Sequence, residues 1–245
     1  MHEHRTIALL PGSFKPPHKG HWAMVEQARV LADEVHVFIS NTSETYIRQR
    51  SISKSNFAKC LKYLKKSNLH NAAYIMENYN KVPYKDLELD LQTALPENLF
   101  AELKQKLFKS VRYTANGKAI EPQIAEEIFK LYIQDYGYDN VILHVCDNPS
   151  PITAAIGFIN HQCKDCNIFL AAKTKDEATE RNEAWNKSLN GIDINNHNTI
   201  HTIPDAEKIQ AARDIRKNIN NLTRDMFPEK ISEETFSKIK LLLEK

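Results

Sequence analysis

The chain has 245 residues, 42% apolar and 9% aromatic, enough for one α/β domain of ordinary size or a domain with a smaller appendage. Its formal charge of +2 argues against a nucleic-acid surface, while leaving room for a local cationic pocket for phosphates. No apolar run approaches the roughly 18–20 residues of a membrane span, and the opening MHEHR leaves no room for a signal peptide, so neither a membrane nor a secretory route is expected.

Residues 6–10 (TIALL) form a short apolar run closed by Pro11 and Gly12, the length and punctuation of a buried strand. Trp22, Val25, Ala28, Leu31 and Ala32 recur at helical spacing, which predicts a helix over residues 18–33; a second strand follows at 35–40 (VHVFIS). Strand, helix, strand in this order is a βαβ unit with parallel strands. Further strands are predicted at 140–145, 167–172 and 199–203. Helices are predicted at 152–161, 176–185, 207–220 and 232–244. The alternation predicts an α/β fold, a Rossmann-like doubly wound, mostly parallel sheet. Residues 44–109, broken by Pro83 and Pro96, read as a helical insertion of open role, with 1–43 and 110–245 forming the main domain. Residues 51–65 and 118–134 look alike, but amphipathic helices resemble one another for packing reasons alone.

Between the first strand and its helix lies PGSFKPPHKGH, residues 11–21. A strand delivers this loop to the carboxyl edge of the sheet, where open α/β sheets place ligands. Gly12 permits a tight turn and close backbone approach, and Pro16 and Pro17 hold the chain extended before the helix starts. His18 and His21 are three apart, which puts both rings on one side of the first helical turn. Gly20 leaves space for a substrate against the backbone. The helix N-terminus adds free N–H groups and a positive dipole end, both favourable to phosphate. Two histidines there can donate hydrogen bonds to oxygens that gain charge as a phosphoanhydride breaks.

This loop resembles the HxGH signature of the nucleotidyltransferase superfamily, shared in looser form with class I aminoacyl-tRNA synthetases. The resemblance implies transfer of a nucleoside monophosphate from ATP or CTP to a small phosphate-bearing acceptor, with release of pyrophosphate. It also implies a Rossmann-like sheet, a magnesium ion (Mg2+) and no covalent enzyme intermediate. His18 and His21 would contact the triphosphate and stabilise the pentacovalent transition state, with Lys15 near the phosphates. Gly12, Ser13, Phe14 and Gly20 would line the nucleotide site.

Residues 209–218 (IQAARDIRKN) stand where the superfamily places a pattern like I-S-x-T-x-I-R, whose hydroxyls and arginine hold the outer phosphates. Ile215 and Arg216 fit its last two positions, whereas Ala211 and Arg213 replace the usual Ser and Thr. By this resemblance Arg216, helped by Arg213, is a phosphate ligand. Residues 147–155, 170–176 and 226–234 are similar to segments of phage and bacterial cytidylyltransferase-like proteins. That similarity nominates Lys173 for the nucleotide, and Asn148 and Ser150 for base or ribose. A plain helix cap explains Ser150 equally well.

Other features carry less. Residues 51–55 (SISKS) look like a synthetase signature loop but stand too early in the chain, so Ser51 or Ser53 reads as a helix cap. His161, Cys163 and Cys166 have some of the spacing of a metal site, yet a single CxxC without a second pair is weak. Cys60 and Cys146 read as core residues, and sparse cysteine with no leader suggests a reducing cytoplasm. Lys104, Lys106, Lys109, Arg112 and Lys118 read as a solvated helix face, with Arg112 the candidate for the acceptor phosphate. Nicotinamide mononucleotide, phosphopantetheine and an alcohol phosphate compete as acceptors, ATP being the preferred donor and CTP the second. The altered second motif also admits a nucleotide-binding sensor or assembly protein that keeps the fold. A homo-oligomer is compatible with the sequence.

Overall fold

The computed structural model describes residues 5–43, 54–79, 84–107, 111–147, 150–163, 166–171, 200–203 and 212–244. In chain order the elements are β1 (Thr6–Gly12), α1 (Lys19–Leu31), β2 (Glu34–Ile39), α2 (Lys54–Lys66), α3 (His70–Asn78), α4 (Tyr84–Ala94), α5 (Glu97–Leu107), α6 (Pro122–Tyr136), β3 (Val141–Val145), α7 (Pro151–Gln162), β4 (Asn167–Ala171), β5 (Ile200–Ile203), α8 (Ala212–Lys217) and α9 (Glu233–Glu244). Short 3-10 turns at Ile219–Asn221 and Arg224–Met226 join the last two helices.

The five strands make one sheet in the order β3-β2-β1-β4-β5, every neighbouring pair parallel. This is the doubly wound α/β arrangement that the alternation predicts. The central strand β1 is an unbroken apolar run because both its faces are covered. Ile7 and Leu9 belong to the core cluster shared with Ala155 and Ile159 of α7, and Ala8 and Leu10 are equally buried. The chain leaves β1 toward β2 and β3 on one side and returns to β4 on the other. The loop after β1 therefore opens at the switch point of the sheet, where such folds bind ligands.

The helix boundaries follow local chemistry. Buried His21, Trp22, Val25 and Ala28 form the inner stripe of α1. Pro122 opens α6, and Gly137, left-handed at φ 65°, closes it. Ser150 caps α7, its hydroxyl accepting from the Thr153 amide at 3.3 Å, as the cap reading expects. The predicted helix at 207–220 is helical in its described part only at Ala212–Lys217, and then tightens into a 3-10 turn. The predicted helix at 176–185 lies outside the described residues, as do Ser51, Ser53 and Lys109.

Backbone contacts divide the chain into two compact units, Met1–Asn41 with Glu121–Lys245, and Thr42–Ile120. The second unit holds α2 to α5 around its own core of Cys60, Leu64, Met76, Leu91, Leu103 and Leu107. Within it, Lys104 pairs with Glu88 and lies over Tyr113, and Lys106 pairs with Glu102 and lies over Tyr63. The Lys106–Glu102 pair is exposed, as a solvated helix face expects, whereas Lys104 and Glu88 are mostly buried. No helix among the described residues is long and apolar enough to cross a membrane.

Cys163 ends α7 and Cys166 precedes β4. Both thiols are buried and hydrogen-bonded to each other, and burial pushes Cys163 up to about 12. His161 stands exposed at the end of α7, and no group of three or more His, Cys, Asp or Glu side chains among the described residues can hold a metal. Cys60 and Cys146 are core residues, each pushed up to about 11 by burial.

A polar chain also runs along the α7 side of the sheet. The Glu34 carboxylate, ion-paired with Arg5, can only accept, so His36 Nε2 donates to it at 3.0 Å. His36 Nδ1 is then the acceptor from His144 Nε2, 2.9 Å away, and the two rings stack beside Phe158. Both histidines are neutral in this arrangement. Burial lowers the pKa of both, that of His144 from 6.5 to about 4. Between those values the unfolded chain binds more protons, so stability is fully present above about pH 6.5 and falls as pH drops toward 4. His144→Gln, which keeps an N–H toward His36, is expected to flatten that slope in denaturation curves taken from pH 7 to 4; an unchanged slope would contradict this account.

Candidate active site

The motif loop turns sharply after Gly12. Phe14 adopts a left-handed backbone (φ 50°), and the Lys15–Pro16 peptide is cis. The Phe14 ring lies back over Gly12, where a Cβ would meet ring carbons at 2.7–3.0 Å. The ring is buried edge-on against His21 (5.0 Å between centroids) and Phe129 of α6 (5.3 Å). Glycine at position 12 is therefore required by the packing of Phe14. Phe14 itself, expected to line the nucleotide site, also forms part of the wall behind His21.

His18 is the N-cap of α1 rather than a member of its first turn. Its backbone is extended (φ −147°, ψ 176°), and its Nδ1 accepts from the Gly20 amide at 3.1 Å. An imidazole that accepts through Nδ1 while neutral carries its proton on Nε2. The cap thus makes Nε2–H a directed donor. His21 follows one turn on, its ring 3.8 Å from that of His18 between centroids and tilted by 35°. The expected juxtaposition of the two rings is present, although the cap, and not a shared helical face, produces it. Gly20 supplies the amide that fixes His18, a role its spacing did not announce.

Both histidines are buried at the rim. Ser13 Oγ is also buried, with no hydrogen-bond partner among the described residues. A buried hydroxyl without a partner costs free energy unless a ligand or solvent completes it. Lys15 is almost wholly buried in the same loop.

From the other end of the chain, Arg216 of α8 donates through Nη1 to the Lys15 carbonyl at 2.5 Å. The second motif therefore meets the first through a backbone carbonyl. Arg213 is exposed on the same short helix. Ser150 is exposed and spends its hydroxyl on capping α7. Arg112 belongs to the Thr42–Ile120 unit, where its carbonyl accepts from the Ile120 amide. Asn148, Lys173 and Ala211 lie outside the described residues.

The sequence reading missed Tyr132 and Phe129 on α6. They support the loop from more than a hundred residues away, and no local motif marks them. The only signal was their place on the apolar stripe of an amphipathic helix.

Residues 9–67 match the family described as Cytidylyltransferase-like. The matched segment holds the motif loop, α1 and β2, so the likeness falls on the part of the chain that carries His18 and His21. No curated protein matches the chain.

The Phe14 ring, wedged between two other rings, has little room to withdraw. Gly12→Ala is expected to cost about 1–3 kcal/mol, as overpacking of a filled site does. The midpoint of chemical denaturation reads that loss, and an unshifted midpoint would show that the ring is free to move.

Proposed function

We propose that the protein transfers a nucleoside monophosphate, AMP in preference to CMP, from a nucleoside triphosphate to a phosphate-bearing small molecule such as nicotinamide mononucleotide, releasing pyrophosphate. The observation that carries this reading is the cap geometry at the N-terminus of α1. Two buried histidine rings lie together there, one with its Nε2–H directed by a backbone hydrogen bond. The amides and dipole of a helix start favour an anion at the same point.

An acceptor phosphate oxygen attacks the α-phosphorus in line. The new O–P bond forms as the bond to the β-phosphate oxygen breaks, and pyrophosphate leaves with the electron pair. His18 and His21 donate hydrogen bonds to oxygens that gain charge in this step. Positioning and charge stabilisation carry catalysis of this kind, without a covalent intermediate. Ser13, Gly12 and Gly20 bring hydroxyl and backbone close to the phosphates. Lys15, Arg216 and Arg213 supply positive charge for the outer ones. Asn148 and Lys173 are proposed for the nucleoside and Arg112 for the acceptor phosphate. ATP is preferred because adenylyl transfer is the broader use of such folds, an argument from analogy.

Magnesium, which the proposed reaction implies, would be held chiefly by triphosphate oxygens and water. Ser13 Oγ is the buried, uncompleted oxygen at the loop that fits this group. When bound, the ion neutralises triphosphate charge.

A second reading, a nucleotide-binding sensor or assembly protein, is favoured by the replacement of both usual hydroxyls in the second motif, at Ala211 and Arg213. One assay separates the two: ATP or CTP with a panel of phosphorylated acceptors, followed by pyrophosphate release. Turnover is expected with at least one pair, and His21→Ala is expected to lower it about a hundredfold. Triphosphate binding without release under every pairing would favour the sensor. Full release by His21→Ala would overturn the role of His21.

A further inference from the structure

Pro16 and Pro17 have no amide hydrogens, so this stretch of the loop cannot fix itself through its own N–H groups. It is held through its carbonyls instead. Arg216 takes the Lys15 carbonyl, on one side of Pro16, and the Tyr132 hydroxyl donates to the Pro17 carbonyl at 3.2 Å. The second bond has the more direct consequence. The Pro17 carbonyl and the His18 nitrogen belong to one peptide plane, so a donor on that oxygen sets the plane from which the His18 side chain departs.

Tyr132 is built to hold its place. It is completely buried, edge-on to Trp22 (5.5 Å) and Phe129 (6.1 Å). Burial raises its phenol well above the ordinary value, which keeps the hydroxyl a donor at any working pH. Its helix is braced in turn. Asp135 accepts from the Ser232 amide at 2.6 Å, the Tyr136 hydroxyl accepts from the Lys230 amide at 3.3 Å, and α9 packs along α6.

We infer that Tyr132 is a positioning residue for His18, acting through the Pro17 carbonyl to hold the cap in which the Gly20 amide donates to His18 Nδ1. It touches no substrate in this account. The inference rests on the reading that His18 acts on the triphosphate, but its structural half stands apart from that reading and is tested separately.

Tyr132→Phe keeps the ring and removes only the donor. Its deciding readout is the tautomer of His18, from nitrogen chemical shifts in 15N-histidine-labelled protein. The native chain is expected to show the Nε2–H form, and Tyr132→Phe a mixture of tautomers. In the pyrophosphate assay kcat is expected to fall about tenfold, with KM for the triphosphate within twofold. Ile159→Val, in the core under α7, serves as a control for general loss of stability and is expected to leave both readouts unchanged. Native His18 shifts in Tyr132→Phe overturn the inference, whatever the activity. If the native protein releases no pyrophosphate with any donor and acceptor, the proposed function fails while the tautomer still decides on Tyr132. Should Tyr132→Phe not fold, 3,5-difluorotyrosine at position 132 keeps the ring and alters the hydroxyl as a donor. A change in the His18 shifts then sustains the inference, and unchanged shifts overturn it.

Discussion

The hydrogen bond from the Gly20 amide to His18 Nδ1 joins the end of the motif loop to the start of α1, and most of the site is arranged around it. A helix start leaves amides without intrahelical partners, and one of them is spent here on a histidine. That choice fixes which ring nitrogen carries the proton. It also sets His18 beside His21, and both beside the remaining positive end of the helix. Other sequences cap helices with Ser or Asp at this position; an imidazole caps with one nitrogen and keeps a donor on the other.

The surrounding residues make this arrangement hold. β1, buried on both faces, delivers the loop at the switch point of the sheet. Gly12 makes room for the Phe14 ring, which backs His21. Two prolines stiffen the approach but cannot donate, so Arg216 and Tyr132 fasten it through its carbonyls. The loop is thus supported by α6 and α8, while His18 and His21 stand together at the start of α1. This division suits the chemistry proposed: phosphoryl-type transfer asks for fixed donors more than for reactive groups.

Much of the sheet was legible because β1, β2 and β4 are apolar runs bounded by turn residues, which is what strands covered on both faces require. α1 and α7 were legible from their periodicity and caps. The early end of α8 was missed, although the weak helix formers Asn218, Asn220 and Asn221 mark it locally. In the site, spacing alone put His18 and His21 together for the wrong local reason. HxxH reads as one helical face, but Pro17 biases His18 to neither helix nor cap by itself, and only the fold shows the extended backbone. The packing of Phe14 on Gly12 and His21 was not legible, because the motif marks the residue without showing where its ring lies. Tyr132 lay beyond any sequence pattern, since its partner at Pro17 is 115 residues away.

The central claim is that the start of α1 is where the triphosphate lies. A crystal structure with an α,β-methylene nucleoside triphosphate, which cannot be cleaved at the bond in question, tests this most directly. The account predicts phosphate oxygens within hydrogen-bond reach of His18 Nε2 and Ser13 Oγ. A triphosphate seated away from the loop, with His18 and Ser13 making no contact to it, would contradict the account.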